Sequence, residues 1–185
     1  MRIVSGSARG RKLFTPVGMD IRPTTDKVKE ALFSIIQFEL TGRRVLDLFA
    51  GTGQLGLEAL SRGAAKATFT DASRQAIELV KKNVRAVGFE DRSVVLHTDA
   101  FQFLTRTDET FDLVFLDPPY ERGLCEKAAA LLPRVFDDRA IVVAETRPDE
   151  NLPAAIGPLA IYRDYRYSAI RLTVYRKAGP EGETN

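Results

Sequence analysis

A chain of 185 residues that is 44% hydrophobic and 28% charged holds enough apolar material for one buried core and too much for extended disorder. One cysteine, Cys125, and one histidine, His97, exclude an intrachain disulfide and a Cys/His metal cluster, and no apolar run reaches the roughly 18 to 20 residues that cross a bilayer. With 27 Lys and Arg against 25 Asp and Glu, the net charge of +2 is too mild to identify a nucleic-acid partner, so the placement of charge matters more than its total. A cytoplasmic protein with no membrane association and no metal is expected. A thiol nucleophile would need His97 beside Cys125, whose Leu/Ala-rich surroundings read instead as core.

In chain order, a basic segment able to form a hairpin around Ser5 to Arg11 precedes a helix that Thr24 or Thr25 can cap. The apolar face of that helix is Val28, Ala31, Leu32, Ile35 and Ile36. Arg44 to Phe49 reads as the first main strand, Gln54 to Arg62 as a helix stopped by Gly63, and Ala67 to Thr70 as the second strand. Ser73 caps a helix whose apolar face is Ala76, Ile77, Val80, Val84 and Val87 and which Gly88 ends. Strands follow at Ser93 to His97, Asp112 to Leu116 and Ala140 to Glu145. The runs Ala160 to Tyr165 and Ser168 to Tyr175 have no helix between them and suggest an antiparallel pair at one sheet edge. Strands alternating with helices predict an α/β fold with a mostly parallel sheet. One domain is expected over residues 1–177, an N-terminal extension of 1–40 followed by a core of 41–177, with a disordered tail at 178–185.

Asp47-Leu48-Phe49-Ala50-Gly51-Thr52-Gly53-Gln54-Leu55-Gly56 lies where the first strand turns into a helix. Glycines there permit backbone angles and close approach that a side chain obstructs, but the G-x-G-x-x-G pattern alone also serves dinucleotides. Asp47 separates the two readings: a carboxylate at the strand end repels a pyrophosphate and attracts the ammonium of a methionine moiety. Asp71, ending the second strand, is placed to accept from a ribose diol and does not discriminate. Asp99 could accept from an adenine amine, with Ala100 offering its N–H, or could simply cap the helix of Phe101, Phe103 and Leu104.

The near-continuous apolar strand ending at Leu116 opens into Asp117-Pro118-Pro119-Tyr120, at the end of a parallel sheet where ligands bind. An exocyclic base amine is a poor nucleophile because its lone pair is delocalised into the ring. The Asp117 carboxylate and Pro118 carbonyl could take its two protons and leave the lone pair aimed at an electrophile. Tyr120 offers a surface on which the base can stack.

These residues resemble a known family. Asp47 to Gly56 is similar to the first cofactor motif of class I S-adenosylmethionine methyltransferases, and Asp117 to Tyr120 to the (D/N/S)PP(Y/F) motif of their amino-methylating branch. Ser5-Gly6, Arg9 to Leu13, Arg22 to Glu30 and Leu57 to Ala64 extend the likeness, in matching order and nearly chain-long, to the RsmD family of bacterial small-subunit ribosomal RNA (guanine-N2) methyltransferases. The resemblance implies a Rossmann-like sheet of seven strands with one antiparallel edge strand, helices on both faces, and S-adenosyl-L-methionine as cofactor. It implies cofactor contacts from Asp47, Phe49, Ala50, Gly51, Thr52, Gly53, Leu55, Gly56, Asp71, Ala72, Asp99 and Ala100, with no role for the Ala72 or Ser73 side chains. Asp71 departs from the Glu common in relatives. Asp117, Pro118, Pro119 and Tyr120 take the catalytic positions.

Residues 1–30 carry seven Lys or Arg against three acids, a local excess larger than that of the whole chain. Such clusters neutralise phosphates, which makes Arg2, Arg9, Arg11, Lys12, Arg22 and Lys27 the candidate RNA contacts, and the resemblance adds Thr24, since the family keeps a polar turn at Arg22 and Thr24 that could instead line the active site. The expected partner is ribosomal RNA, free or within an assembling small subunit. The readings left open are adenine-N6 methylation of DNA, a nicotinamide-dependent oxidoreductase, and a non-catalytic RNA-binding factor.

Overall fold

The structure is a computed structural model that describes residues 1–16, 26–119, 123–167 and 169–177, with backbone only at 26 and 27. Its parallel strands are β1 (Arg44–Asp47), β2 (Lys66–Asp71), β3 (Ser93–His97), β4 (Phe111–Leu116) and β5 (Phe136–Thr146). Two-sided burial explains their composition: Leu113 and Phe115 of β4 pack in one core while Val114 and Leu116 pack in the other. The helices are α1 (Asp26–Ile35), α2 (Gln54–Ser61), α3 (Arg74–Val87), α4 (Ala100–Arg106) and α5 (Leu124–Leu131). Helices α1, α2 and α3 pack with the N-terminal segment on one sheet face, and α4 and α5 on the other.

The strand order is β3-β2-β1-β4-β5-β8-β7-β6, completed by β6 (Ala155–Ile156), β7 (Leu159–Arg166) and β8 (Arg171–Lys177). The chain leaves β1 toward β2 and β3 and then returns to place β4 on the other side of β1, so a crevice opens between β1 and β4 at their carboxyl ends. The sheet has eight strands rather than seven, and the expected antiparallel edge is made of more than one reversed strand. Strand β8 runs antiparallel between β5 and β7, and β6 adds a two-residue pairing outside β7. Only Gly157-Pro158 marks that last hairpin in the sequence, because two residues cannot show a period. Helix α5 also lacks a separate signature, its apolar character merging with the surrounding Leu/Ala run.

The N-terminal extension is fastened to the core. An isolated bridge between Arg2 and Lys12, with Ile3 N donating to Arg11 O at 3.0 Å, closes the expected hairpin. Glu58 of α2, fully buried, accepts from Val4 N at 2.8 Å and Ser5 N at 2.9 Å, and also from Arg62 Nε at 2.8 Å. Lys29, also fully buried, lies 3.7 Å from Glu58 and donates to Arg2 O at 2.6 Å. One of the seven N-terminal cations is therefore a core ion pair and not part of a surface cluster. Gly6, at φ +82°, rests on α2 so closely that a Cβ would fall 1.8 Å from Ser61 O. The tail at 178–185 lies outside the described residues.

Candidate active site

Each parallel strand delivers an acid to the same edge of the sheet. Asp47 ends β1, Asp71 ends β2, Asp99 follows β3, Asp117 follows β4, and Glu145 lies one residue before the end of β5. The strand registers pair Asp47 with Phe115 and Leu116 with Ala144, which sets Asp117 beside Glu145 and two positions beyond the level of Asp47.

The glycine loop is held from two sides. Gly51 N donates to Asp71 Oδ2 at 2.9 Å, and Ser73 N donates to Asp71 Oδ1 at 2.7 Å, so this carboxylate pins both the loop after β1 and the turn after β2. Gly51 (φ +54°) and Gly53 (φ +76°) take left-handed backbone angles, and a Cβ on Gly51 would meet nothing within 4 Å, so the turn faces open space. Gly56 serves packing instead. A Cβ there would lie 2.3 Å from the Phe69 ring, so its absence lets α2 sit close on β2. Leu55 is likewise core, while Phe49 is partly buried and Ala50 and Thr52 are buried.

Asp47 is more enclosed than a simple ligand contact. It is 2% exposed, and its Oδ2 accepts from Gly56 N at 3.0 Å, anchoring the first turn of α2. Burial, opposed by that hydrogen bond and aided by Asp71, lifts its carboxyl from the usual 3.8 to about 7. Asp117 as a whole residue is partly exposed, but burial of its carboxyl, together with Glu145 and Asp47, holds that group well above the usual range. Asp99 is exposed, and its Oδ1 accepts from Phe101 N at 2.9 Å and Gln102 N at 3.0 Å. It caps α4, whose first residue, Ala100, is buried, while Ala72 is exposed and its carbonyl meets His97 Nε2 at 3.0 Å.

Pro118 is buried and Pro119 exposed after Asp117, whereas Tyr120 lies outside the described residues. So do Arg22, Thr24 and the side chain of Lys27. Arg2, Arg9 and Lys12 are exposed. Arg11 is also exposed but spends one guanidinium N–H on Ala86 O, at 3.3 Å, at the end of α3. Cys125 is fully buried, and burial, Glu150 and Asp117 push its thiol up to about 12, which leaves it protonated and unreactive. Among the described residues no group of three or more His, Cys, Asp or Glu is set to hold a metal ion, and no helix is long and apolar enough to cross a membrane.

Two residues escaped the sequence reading. Glu145, 4% exposed, registers in the sequence only as the end of an apolar strand. Asn83 is fully buried on the apolar face of α3; its Nδ2 donates to Thr52 O at 2.9 Å and to Phe14 O at 3.1 Å, and its Oδ1 accepts from Phe14 N at 2.7 Å. It joins the N-terminal segment to the glycine loop. The available signal was an amide three residues beyond Val80, on the buried stripe.

The family described as Conserved hypothetical protein 95 matches residues 1–176. The chain is 34% identical over 187 residues to ribosomal RNA small subunit methyltransferase D of Escherichia coli (strain K12), a match that spans 100% of this chain and 93% of that protein. It is 37% identical over 157 residues to the protein of that name from Haemophilus influenzae, covering 82% of this chain and 81% of that one. Among solved structures, the Escherichia coli protein yhhF superposes with a TM-score of 0.86 at 35% identity, over 97% of this chain and 99% of that one.

Proposed function

We propose, for a chain that belongs to the RsmD family, that it methylates the exocyclic N2 amine of a guanine in small-subunit ribosomal RNA with S-adenosyl-L-methionine as methyl donor. The observation that carries the reading is the acid edge around Asp117, set at the crevice between β1 and β4 beside an open glycine turn. Carboxylates there suit a cofactor bearing an ammonium, a sulfonium and a ribose diol, and they oppose the pyrophosphate that a nicotinamide cofactor would bring to the same turn. RNA as the substrate class rests on the relatives' names and on the exposed Arg9 and Lys12, and the guanine amine on the family resemblance.

The residues that would hold the cofactor are Asp71, for the ribose, and Asp99 with Ala100, for the adenine. Asp47 contributes the field of a buried carboxylate with Oδ2 committed to Gly56. When bound, S-adenosylmethionine supplies an electrophilic methyl group. The protein's own part is alignment. Asp117 and the Pro118 carbonyl accept the amine's two hydrogens, so that its lone pair points into the crevice, and Tyr120 stacks on the ring. Positioning of this kind lowers a barrier by about 7 to 11 kcal/mol in well-oriented systems. Asp117 then receives the proton that the alkylated nitrogen releases and passes it to water. Acceptance needs an ionised carboxyl, so the raised Asp117 pKa makes turnover climb with pH across its titration.

The test is transfer of label from S-adenosylmethionine to ribosomal RNA taken from cells lacking this protein, with nucleoside mass spectrometry of the product. N2-methylguanosine is the expected product; N6-methyladenosine would overturn the choice of base. Binding of NADH with no binding of S-adenosylmethionine would overturn the choice of cofactor. Asp117→Ala should keep cofactor affinity within a few-fold and abolish nearly all turnover, and wild-type turnover in that variant would remove Asp117 from the chemistry.

A further inference from the structure

The N-terminal cluster is not the only basic segment. Residues 159–177, which form β7, β8 and their connection, contain five Lys or Arg against one acid, Asp164. Asp164 is already neutralised: its two oxygens accept from Arg171 Nε at 2.8 Å and Arg171 Nη2 at 2.9 Å. Lys177 pairs with Asp138, and Arg176 with Glu39 at 3.5 Å. Arg163 and Arg166 form no ion pair among the described residues, and both are exposed. Aromatic side chains are interleaved with them. Tyr165 and Tyr167 are 37% and 36% exposed, and Tyr162 has the Arg163 guanidinium 4.5 Å from its ring centre.

Topology sets this cluster beside the active site. Strand β7 is antiparallel to β8, and β8 to β5, so β7 points the same way as β5 and ends at the acid edge. Leu172 of β8 pairs with Glu145 on one side and Tyr165 on the other, and Arg171 pairs with Thr146 and Arg166. Two strand spacings put the Tyr165 backbone about 10 Å from that of Glu145. Tyr165 lies opposite Leu172, and Arg163 opposite Val174; both partners belong to the core under α1, so Arg163 and Tyr165 share the sheet face that carries the N-terminal segment. Strand β6 covers only the start of β7, and beyond Ile161 the outer edge of β7 has no strand partner among the described residues.

We infer that the Arg163–Tyr167 end of β7 is a second RNA-contacting surface, which takes the unpaired nucleotides flanking the target base. The inference rests on the RNA-methylation reading. A base drawn out of its stack into a crevice leaves its neighbours splayed over the adjoining surface, where aromatic rings stack on them and guanidinium groups meet their phosphates. Tyr165 stacks on a flanking base, and Arg163 and Arg166 engage phosphates. An edge strand kept soluble by charge alone needs no aromatic residues between its arginines.

The test measures binding of protein-free small-subunit ribosomal RNA by fluorescence anisotropy, between about 50 and 200 mM salt, for three variants in the full chain. Arg163→Ala with Arg166→Ala should weaken binding and reduce the salt slope by about one and a half, whereas Arg163→Lys with Arg166→Lys should retain the slope. Tyr165→Ala should weaken binding about 5- to 150-fold with the slope unchanged. In all of these, cofactor affinity and kcat at saturating RNA should stay at wild type, while KM rises in the Ala variants. Wild-type affinity and slope in the Ala variants, with the parent chain methylating RNA normally, would overturn the inference and leave the functional reading intact. A loss seen only with particles that contain ribosomal proteins would make this a protein-docking edge and would overturn it too. A parent chain that neither binds nor methylates RNA would overturn both.

Discussion

The substitution Asp47→Asn should make stability less dependent on pH, by an amount the site itself sets. The carboxyl titrates near 7 in the folded chain against 3.8 when solvated, so the folded state holds its proton through about three extra pH units. At about 1.36 kcal/mol per unit, the linked free energy is on the order of 4 kcal/mol. Because the folded pKa is the raised one, this stabilisation is complete below about pH 4, is lost as pH rises toward 7, and stays lost above. The amide of the variant cannot ionise, yet its side-chain oxygen can still accept from Gly56 N, so α2 keeps its anchor. The difference between the variant's and the parent's unfolding free energies should therefore grow by up to about 4 kcal/mol between about pH 4 and pH 8, in favour of the variant. The repulsion between Asp47 and Asp71 is contained in that pKa shift. Urea unfolding across that pH range, without cofactor, measures the difference. Parallel stability curves for the two proteins would refute the claim that Asp47 is held at a cost by burial.

Glu58→Ala should destabilise by about 3 to 5 kcal/mol in urea unfolding, since it removes the acceptor of Val4 N and Ser5 N and the carboxylate facing buried Lys29. Gly6→Ala combines left-handed backbone strain of roughly 1 to 2 kcal/mol with overlap on the Ser61 carbonyl, and its melting point should fall well below the parent's. Arg9→Ala with Arg11→Ala should lower RNA affinity and flatten its salt dependence, with the larger share from Arg9 because Arg11 already donates to Ala86. An unchanged slope would take the hairpin out of the RNA interface.

How much of this was legible depends on whether the determining contacts are local. The parallel strands, the cap at Ser73, the stop at Gly88 and the position of the Asp-Pro-Pro turn follow from period, propensity and glycine placement, all of which operate within a few residues. Strand β3 matches its expected bounds, while β5 begins four residues earlier than Ala140 because its first part, Phe136-Asp137-Asp138-Arg139, carries charge that hides the strand pattern. The acids at 47, 71, 99 and 117 were legible as strand-end residues. Their division of labour was not, because it depends on which amide faces each carboxylate: Gly56 for Asp47, Gly51 and Ser73 for Asp71. Glu145 and Asn83 were hidden for the same reason, since their neighbours in space lie far along the chain. Lys29 counts toward the N-terminal excess of charge, and only the structure shows Glu58 opposite it in the core.

The fastening of the N-terminal hairpin bears on how the chain assembles. Val4 and Ser5 find their acceptor 54 and 53 residues downstream, and Phe14 finds its amide partner 69 residues downstream. The hairpin is synthesised before α2 and α3 and must wait for both, so its docking rests on long-range contacts. Until then Ile3 and Leu13, both buried in the finished core, stand without cover. Docking of the hairpin closes the hydrogen-bonded seam from Phe14 through Asn83 to Thr52, so a chain in which it has not docked lacks both its basic hairpin and this anchor of the glycine loop.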